Sequence, residues 1–175
     1  CRDCSSHRHH FEQGRGIFVY DDKMRRSITR YKYYGCREYG DFYARAMYLY
    51  GKNELAHWKP DLIVPVPMHP RKQRERGFNQ AADLAEKAGG ILKIPMSDQV
   101  VKKTKATRSQ KKLNAAERKQ NLRMAFQATE RLDGLRILVI DDVYTTGSTI
   151  EAMAHVLKAA GADKVFFVTL CTGQI

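Results

Sequence analysis

No apolar run in the chain approaches the ~20 residues that cross a bilayer, so no membrane insertion is expected. No secretory signal is expected from its opening residues either. Cysteine is scarce, at four residues, which excludes a disulfide-dense scaffold. Five prolines and twelve glycines exclude a collagen or a low-complexity linker. There is no internal repeat. What remains is an ordinary globular composition, 43% hydrophobic and 29% charged, over 175 residues. That length suits one full domain and a small appendage, with a core large enough to need no staple.

Acidic residues are also short, 19 against 31 basic ones, for a net charge of +12. The excess is localised. Residues 69–76 (HPRKQRER) carry net +3 and residues 102–123 net +8, in about a sixth of the chain. A focused excess points to an anionic partner such as phosphate, pyrophosphate or nucleic acid. Two solvated loops would read the same way.

The cysteines are Cys1, Cys4, Cys36 and Cys171. Only Cys1 and Cys4 have a metal-like spacing, and a structural zinc usually takes two such pairs. The pair reads either as half of a zinc knuckle, with His7, His9 and His10 nearby, or as two free thiols at a frayed end. Because the first residue is not Met, upstream residues are expected to be missing. Cys36 and Cys171 read as lone, reduced residues of a cytoplasmic protein.

Strand and helix patterns alternate. Gly16–Tyr20 reads as a strand. Asp21 caps a helix running to about Tyr34, which Gly35 stops. Asp41–Tyr50 reads as a second helix. The β-branched run ending at Val64 suits a buried parallel strand. Residues 68–76 read as a basic loop, Asn79–Ala88 as a helix stopped by Gly89-Gly90, and Asp98–Val101 as a strand. Asn114–Asn121 is a candidate short helix. Arg136–Ile140 is the clearest buried strand, followed by a helix over 147–160 and a last strand over Lys164–Leu170. The order predicts an α/β fold with a mainly parallel sheet flanked by helices. Residues 1–16 are expected to be a tail or the remnant of a zinc module, and 17–175 the main domain.

The chemistry concentrates in Ile137-Leu138-Val139-Ile140-Asp141-Asp142-Val143-Tyr144-Thr145-Thr146-Gly147-Ser148-Thr149. A buried strand ends in two carboxylates, a loop of hydroxyls and glycine follows, and a helix begins. Open α/β sheets place ligands at that end of a strand. A helix N-terminus offers free N–H groups to phosphate, and Gly147 lets backbone approach closely. Two acids beside an anion site suit ribose hydroxyls or a divalent metal. The segment therefore predicts a phosphorylated sugar, with hydroxyls on Asp141 and Asp142 and phosphate at 145–149.

These thirteen residues resemble the phosphoribosyl pyrophosphate (PRPP) motif of type I phosphoribosyltransferases. The G-x-x-x-x-G-K-[ST] and G-x-G-x-x-G patterns are absent from it. The resemblance implies a type I fold and PRPP contacts from Asp141, Asp142, Val143, Tyr144, Thr145, Thr146, Gly147, Ser148 and Thr149. It also implies a pyrophosphate loop after an early strand, here Pro67, Met68, His69, Arg71, Arg74 and Arg76. Arginine forks meet phosphate oxygens bidentately. A basic lid would follow at 102–113, closing over the substrate; its Lys102, Lys103, Lys105, Arg108, Lys111 and Lys112 equally suit a nucleic-acid backbone.

VPVPMHPRKQRERGFNQA, KKTKATRSQKKLNAAERKQNL and ILVIDDVYTTGST together are similar to the ComF family, which includes the ComFC-type late competence proteins. Tyr31-Lys32-Tyr33-Tyr34-Gly35 resembles its early K-[YF]-x-G segment. The resemblance covers roughly 17–172 and implies a role in DNA uptake during natural transformation, with single-stranded DNA and an ATP-driven, helicase-like partner of the ComFA type. It also implies an N-terminal four-cysteine zinc module, whose second pair Cys1 and Cys4 match. Were the protein a phosphoribosyltransferase, pyrophosphate would leave the anomeric carbon of PRPP, with Mg²⁺ bridging ribose hydroxyls and pyrophosphate. Asp141 and Asp142 would hold the sugar, while Arg71, Arg74 or Arg76 and Lys103 would stabilise the departing charge. Residues 145–146 carry no carboxylate, so no general base toward an acceptor is evident. The tyrosines crowding residues 31–50 read either as core or as a base-stacking platform.

Overall fold

The computed structural model describes residues 9–104 and 125–173. Cys1, Cys4, the 114–121 segment and most of the expected lid lie outside them.

Two apolar runs make the centre of the sheet. β5 (Arg136–Tyr144) and β6 (Lys164–Thr172) pair in parallel, with Ile137 opposite Val165 and Ile140 opposite Val168. β1 (Gln13–Val19) lies outside β6 and β2 (Leu62–Pro65) outside β5, both parallel, giving the order β1-β6-β5-β2. Side chains alternate across the pleat, and both faces are covered. Ile137, Val139, Val165 and Phe167 meet Ile150, Met153 and Leu157 of the helix that follows β5. Leu138, Ile140, Phe166 and Val168 meet the other helices through Ile28, Tyr31, Tyr43, Met47 and Leu84. These are α1 (Asp22–Tyr33), α2 (Tyr39–Trp58) and α4 (Gln80–Leu92), whereas α5 (Ser148–Ala159) covers the first face.

Local chemistry explains where the elements differ from expectation. α2 runs 20 residues rather than ten. Gly51 does not break it, being packed near Leu55 and Ile17. It stops at Lys59, left-handed at φ 47°, before Pro60. Residues 70–76 are a helix, α3 (Pro70–Arg76), instead of a loop. His69 accepts from the Arg71 N–H at 3.2 Å, and Pro70 presets the first turn. α4 passes through Gly89-Gly90 to Leu92. A Cβ at Gly89 would sit 2.9 Å from the Ile94 carbonyl oxygen, so this glycine permits a close approach and is not a stop. The strand expected at 98–101 is β3 (Val101–Lys103), antiparallel to β4 (Phe126–Ala128) in a separate two-stranded ribbon.

The sheet reaches into the segment assigned to the tail, since β1 begins at Gln13 and Phe11 packs edge-on to Phe167. His9 and His10, at the end of that segment, pack against α5. Both ring Nδ1 atoms meet the Glu151 carboxylate, at 3.2 and 2.5 Å. Among the described residues no helix is long and apolar enough to cross a membrane.

Candidate functional site

β5 and β2 are parallel neighbours, so their carboxyl ends lie at the same edge of the sheet. β5 continues to Tyr144, past the Ile140 end expected from its apolar run, because β6 pairs with it that far. Asp141 and Asp142 are therefore strand residues, and their carboxyl groups lie close enough to interact. The Asp142 N–H donates to Asp141 Oδ1 at 2.8 Å. Burial, then the neighbouring Asp142 charge, push the Asp141 carboxyl up to about 8. Burial and the neighbouring charge thus both oppose ionising Asp141.

Burying Asp141 opposes folding wherever it must ionise. Its folded pKa is raised, so the unfolded chain binds fewer protons between about 4 and 8 and stability falls across that window. Asp141→Asn is expected to raise the thermal midpoint at pH 7.5, with the difference closing below pH 4. An equal or lower midpoint at pH 7.5 would show that Asp141 is not buried at this cost.

Asp142 is 7% exposed. The Lys32 ammonium from the last turn of α1 forms an ion pair with its Oδ2, and Gln80 Nε2 donates to the same oxygen at 3.1 Å. Gln80 Oε1 in turn accepts from Arg76, whose guanidinium lies 4.7 Å over the Tyr33 ring and donates to its hydroxyl at 2.8 Å. Below this layer the buried Tyr31 hydroxyl donates to Asp83 at 2.7 Å, and Arg37 meets the same carboxylate at 2.9 Å. α1 and the start of α4 therefore bring Lys32 and Gln80 to the Asp142 carboxylate. Lys32 and Gln80 were not expected as site residues. The signal was the Tyr31–Gly35 resemblance, to which no role could be attached, and Gln80's place at the end of the pyrophosphate segment.

The turn expected to hold phosphate follows β5. Tyr144 stacks on Phe167 at 5.0 Å, and its hydroxyl comes up beneath Gly147, so its ring is buried structure. Thr145 and Thr146 are exposed, and Thr146 and Ser148 hydroxyls share a hydrogen bond of 2.9 Å. Gly147 is left-handed at φ 69°, and α5 begins there with no side-chain cap. Helix N-termini of this kind can present N–H groups to an anion.

The pyrophosphate residues divide. Pro67, Met68 and His69 lead from β2 into α3 and are half-buried. Asn79 Nδ2 donates to the Val66 carbonyl at 3.1 Å and fixes that turn to α4. Arg76 joins the Asp142 network. Arg71 is exposed and paired with Glu75 at 3.0 Å, and Arg74 is exposed. The ribbon supplies Lys103, lying 5.2 Å over Phe126. Burial, then the nearby Lys72 charge, lower its ammonium pKa, and Asp141 raises it. Lys103 thus lies within electrostatic reach of Asp141. Lys102 is exposed, while Lys105, Arg108, Lys111 and Lys112 lie outside the described residues.

Among the described residues no cluster of three or more His, Cys, Asp or Glu could hold a metal by itself. Two carboxylates fit Mg²⁺, which commonly takes one or two protein oxygens and completes its shell with substrate phosphate and water. The described residues offer no zinc site. Burial, then Asp142, push the Cys171 thiol up to about 12, which keeps it protonated.

The model of the phosphoribosyl transferase domain family matches residues 43–175. Competence protein F of Haemophilus influenzae is 36% identical over 61% of this chain and 48% of its own length. DNA utilization protein YhgH of Escherichia coli K12 is 38% identical over 64% of this chain and 49% of its own length. Competence protein ComFC of Bacillus subtilis is 29% identical over 92% of this chain and 67% of its own length. The chain thus spans about half the length of the first two relatives. Paired acids at the end of a central parallel strand, an uncapped glycine-led helix and the match over 43–175 agree: the chain belongs to the phosphoribosyl transferase domain family, as a ComF-type member.

Proposed function

We propose that this chain is the PRPP-binding, phosphoribosyltransferase-like part of a protein of DNA uptake in natural transformation, acting in the cytoplasm with single-stranded DNA and an ATP-dependent, helicase-like partner of the ComFA type. The observation that carries it is the group of residues gathered at the carboxyl end of β5. Two strand-end carboxylates, Asp141 and Asp142, stand between an uncapped helix N-terminus at Gly147 and the arginine helix at 70–76. Ribose hydroxyls suit the acids, the 5′-phosphate the 145–149 turn, and pyrophosphate the Arg76 side. The names of the relatives supply the physiological setting.

Bound Mg²⁺ would supply charge neutralisation of the pyrophosphate, held by the acids together with substrate oxygens. Asp142 would orient the ribose through its diol. Arg76 and Lys103 would meet negative charge on the pyrophosphate. The alternative is an active phosphoribosyltransferase of unknown acceptor in nucleotide metabolism, supported by the paired acids and the glycine-led helix start on one strand–turn–helix unit. Residues 145–149 still carry no carboxylate to serve an acceptor as base. Calorimetric titration of PRPP with Mg²⁺ tests the site. Saturable binding supports it, and no heat from folded protein overturns it. Pyrophosphate release with nucleobases or amines would favour the alternative.

The DNA part of the reading has support outside the lid. A groove of about 560 Å³ on α1 is lined by Arg25, Arg26, Thr29, Arg30, Tyr34 and Cys36, and Tyr34 is 73% exposed. Arginines beside an open aromatic face suit a single strand. Tyr31 and Tyr43 are core, but Tyr33, Tyr34, Tyr48 and Tyr50 are exposed. Tyr34→Ala is expected to weaken binding of a fluorescent oligothymidine about five-fold, within the range of one stacked base, and wild-type affinity should fall steeply with salt. Salt-insensitive binding, or none, would remove the DNA reading; an unchanged Tyr34→Ala affinity would move it off this groove.

A further inference from the structure

The carboxylate best placed to receive a sugar hydroxyl or a metal already holds a cation. Lys32 Nζ meets Asp142 Oδ2, and the two side chains are only 19% and 10% exposed. Gln80 Nε2 donates to that same oxygen. Lys32 is not a passing surface lysine. α1 carries it on the turn that buries Ile28 and Tyr31, and Tyr31 is hydrogen-bonded to Asp83 and to the Gln80 carbonyl on α4. The stem of Lys32 is therefore held by the core while its head is presented to the acid.

A tethered ammonium competes for a carboxylate without losing translational freedom, whereas a free ion must lose it. A divalent ion arriving alone at Asp142 would also stand beside the lysine charge, and like charges at that distance repel strongly away from bulk water. An ion arriving with a polyphosphate brings its own negative charge, and the phosphate gives Lys32 a second acceptor. Resting on the reading of 141–149 as a sugar-diphosphate site, we propose that Lys32 is a built-in counter-ion: it fills the cation position at Asp142 and keeps divalent metal out of the empty site, so that metal enters only with its anionic ligand. Lys32 is a positioning residue, acting through Asp142.

Mn²⁺ alone is the probe, followed by electron paramagnetic resonance of the free ion, with no substrate present. Wild type is expected to bind it weakly. Lys32→Met is expected to bind at least tenfold more tightly, since two adjacent strand-end carboxylates lose their internal cation. Lys32→Arg should restore the weak wild-type behaviour, and adding Asp142→Asn to Lys32→Met should abolish the gain. A folded Lys32→Met that binds Mn²⁺ no better than wild type overturns the proposal. Should Lys32→Met not fold, Lys32→Gln, neutral and able to donate to Asp142, is held to the same tenfold criterion. PRPP titration of the wild type separates the two readings. Binding without a Mn²⁺ gain in the variant overturns the counter-ion alone. A Mn²⁺ gain without PRPP binding overturns the ligand reading, and with it the coupling of metal entry to ligand.

Discussion

Asp142→Asn is expected to lower PRPP affinity on the order of 100-fold in the presence of Mg²⁺, with the fold retained. The size follows from what the carboxylate would do. Hydrogen bonds to a charged acceptor are worth about 1.5–3 kcal/mol, and a factor of 100 is about 2.7 kcal/mol. The amide keeps the shape of the side chain, and Gln80 can still donate to its oxygen. It loses the charge that Lys32 pairs with. Removing one member of a buried pair costs about 3–5 kcal/mol when the other charge is trapped. Lys32 is not fully trapped, because Asp141 lies beside the vacated position. With the Asp142 charge gone, one cause of the raised Asp141 pKa disappears, and Asp141 can ionise toward the lysine. The loss of stability should therefore be smaller than that range, while the loss of sugar binding stays large. Calorimetry with a thermal melt on the same sample separates the two. Affinity within twofold of wild type in folded Asp142→Asn would remove Asp142 from the ligand site.

Asp142 also marks what could be read from residues in line and what could not. The strand, the turn and the helix at 137–160 are contiguous, so their residue types alone carry the chemistry: an apolar run, two acids, hydroxyls, glycine. Parallel pairing follows from the same runs. Lys32 is different. Nothing near it in sequence is an acid awaiting a partner. It reaches Asp142 because α1 packs across the sheet face that Leu138 and Ile140 build, a contact 110 positions away in the chain. Gln80 is hidden for the same reason. The basic segment at 69–76 misled by its charge, since eight residues with four bases look solvated; the helix is decided by His69 and Pro70 at its start. Gly89 misled by its type. Glycine stops helices often enough to suggest an end there, and only the fold reveals the Ile94 carbonyl pressed against it.

Gly147→Ala is expected to destabilise the protein by about 3 kcal/mol and to abolish PRPP binding. The backbone is left-handed there, at φ 69°, where an L-residue with a Cβ loses about 1–2 kcal/mol. The new methyl would sit 2.3 Å from the Tyr144 hydroxyl oxygen and 2.7 Å from the ring carbon that bears it. That ring cannot swing away cheaply. It is buried and stacked flat on Phe167, which packs in turn against Phe11. Either the stack shifts, with a packing cost of about 1–3 kcal/mol, or the turn moves outward and takes the first N–H groups of α5 with it. Both routes spoil the anion site, because phosphate must meet those N–H groups at hydrogen-bond distance. Tyr144→Ala in the Gly147→Ala background distinguishes the causes. Removing the ring relieves the clash but leaves the φ cost, so phosphate affinity should return in part while stability stays low. Full PRPP affinity in the Gly147→Ala single variant would mean that the turn at 145–149 does not hold the phosphate.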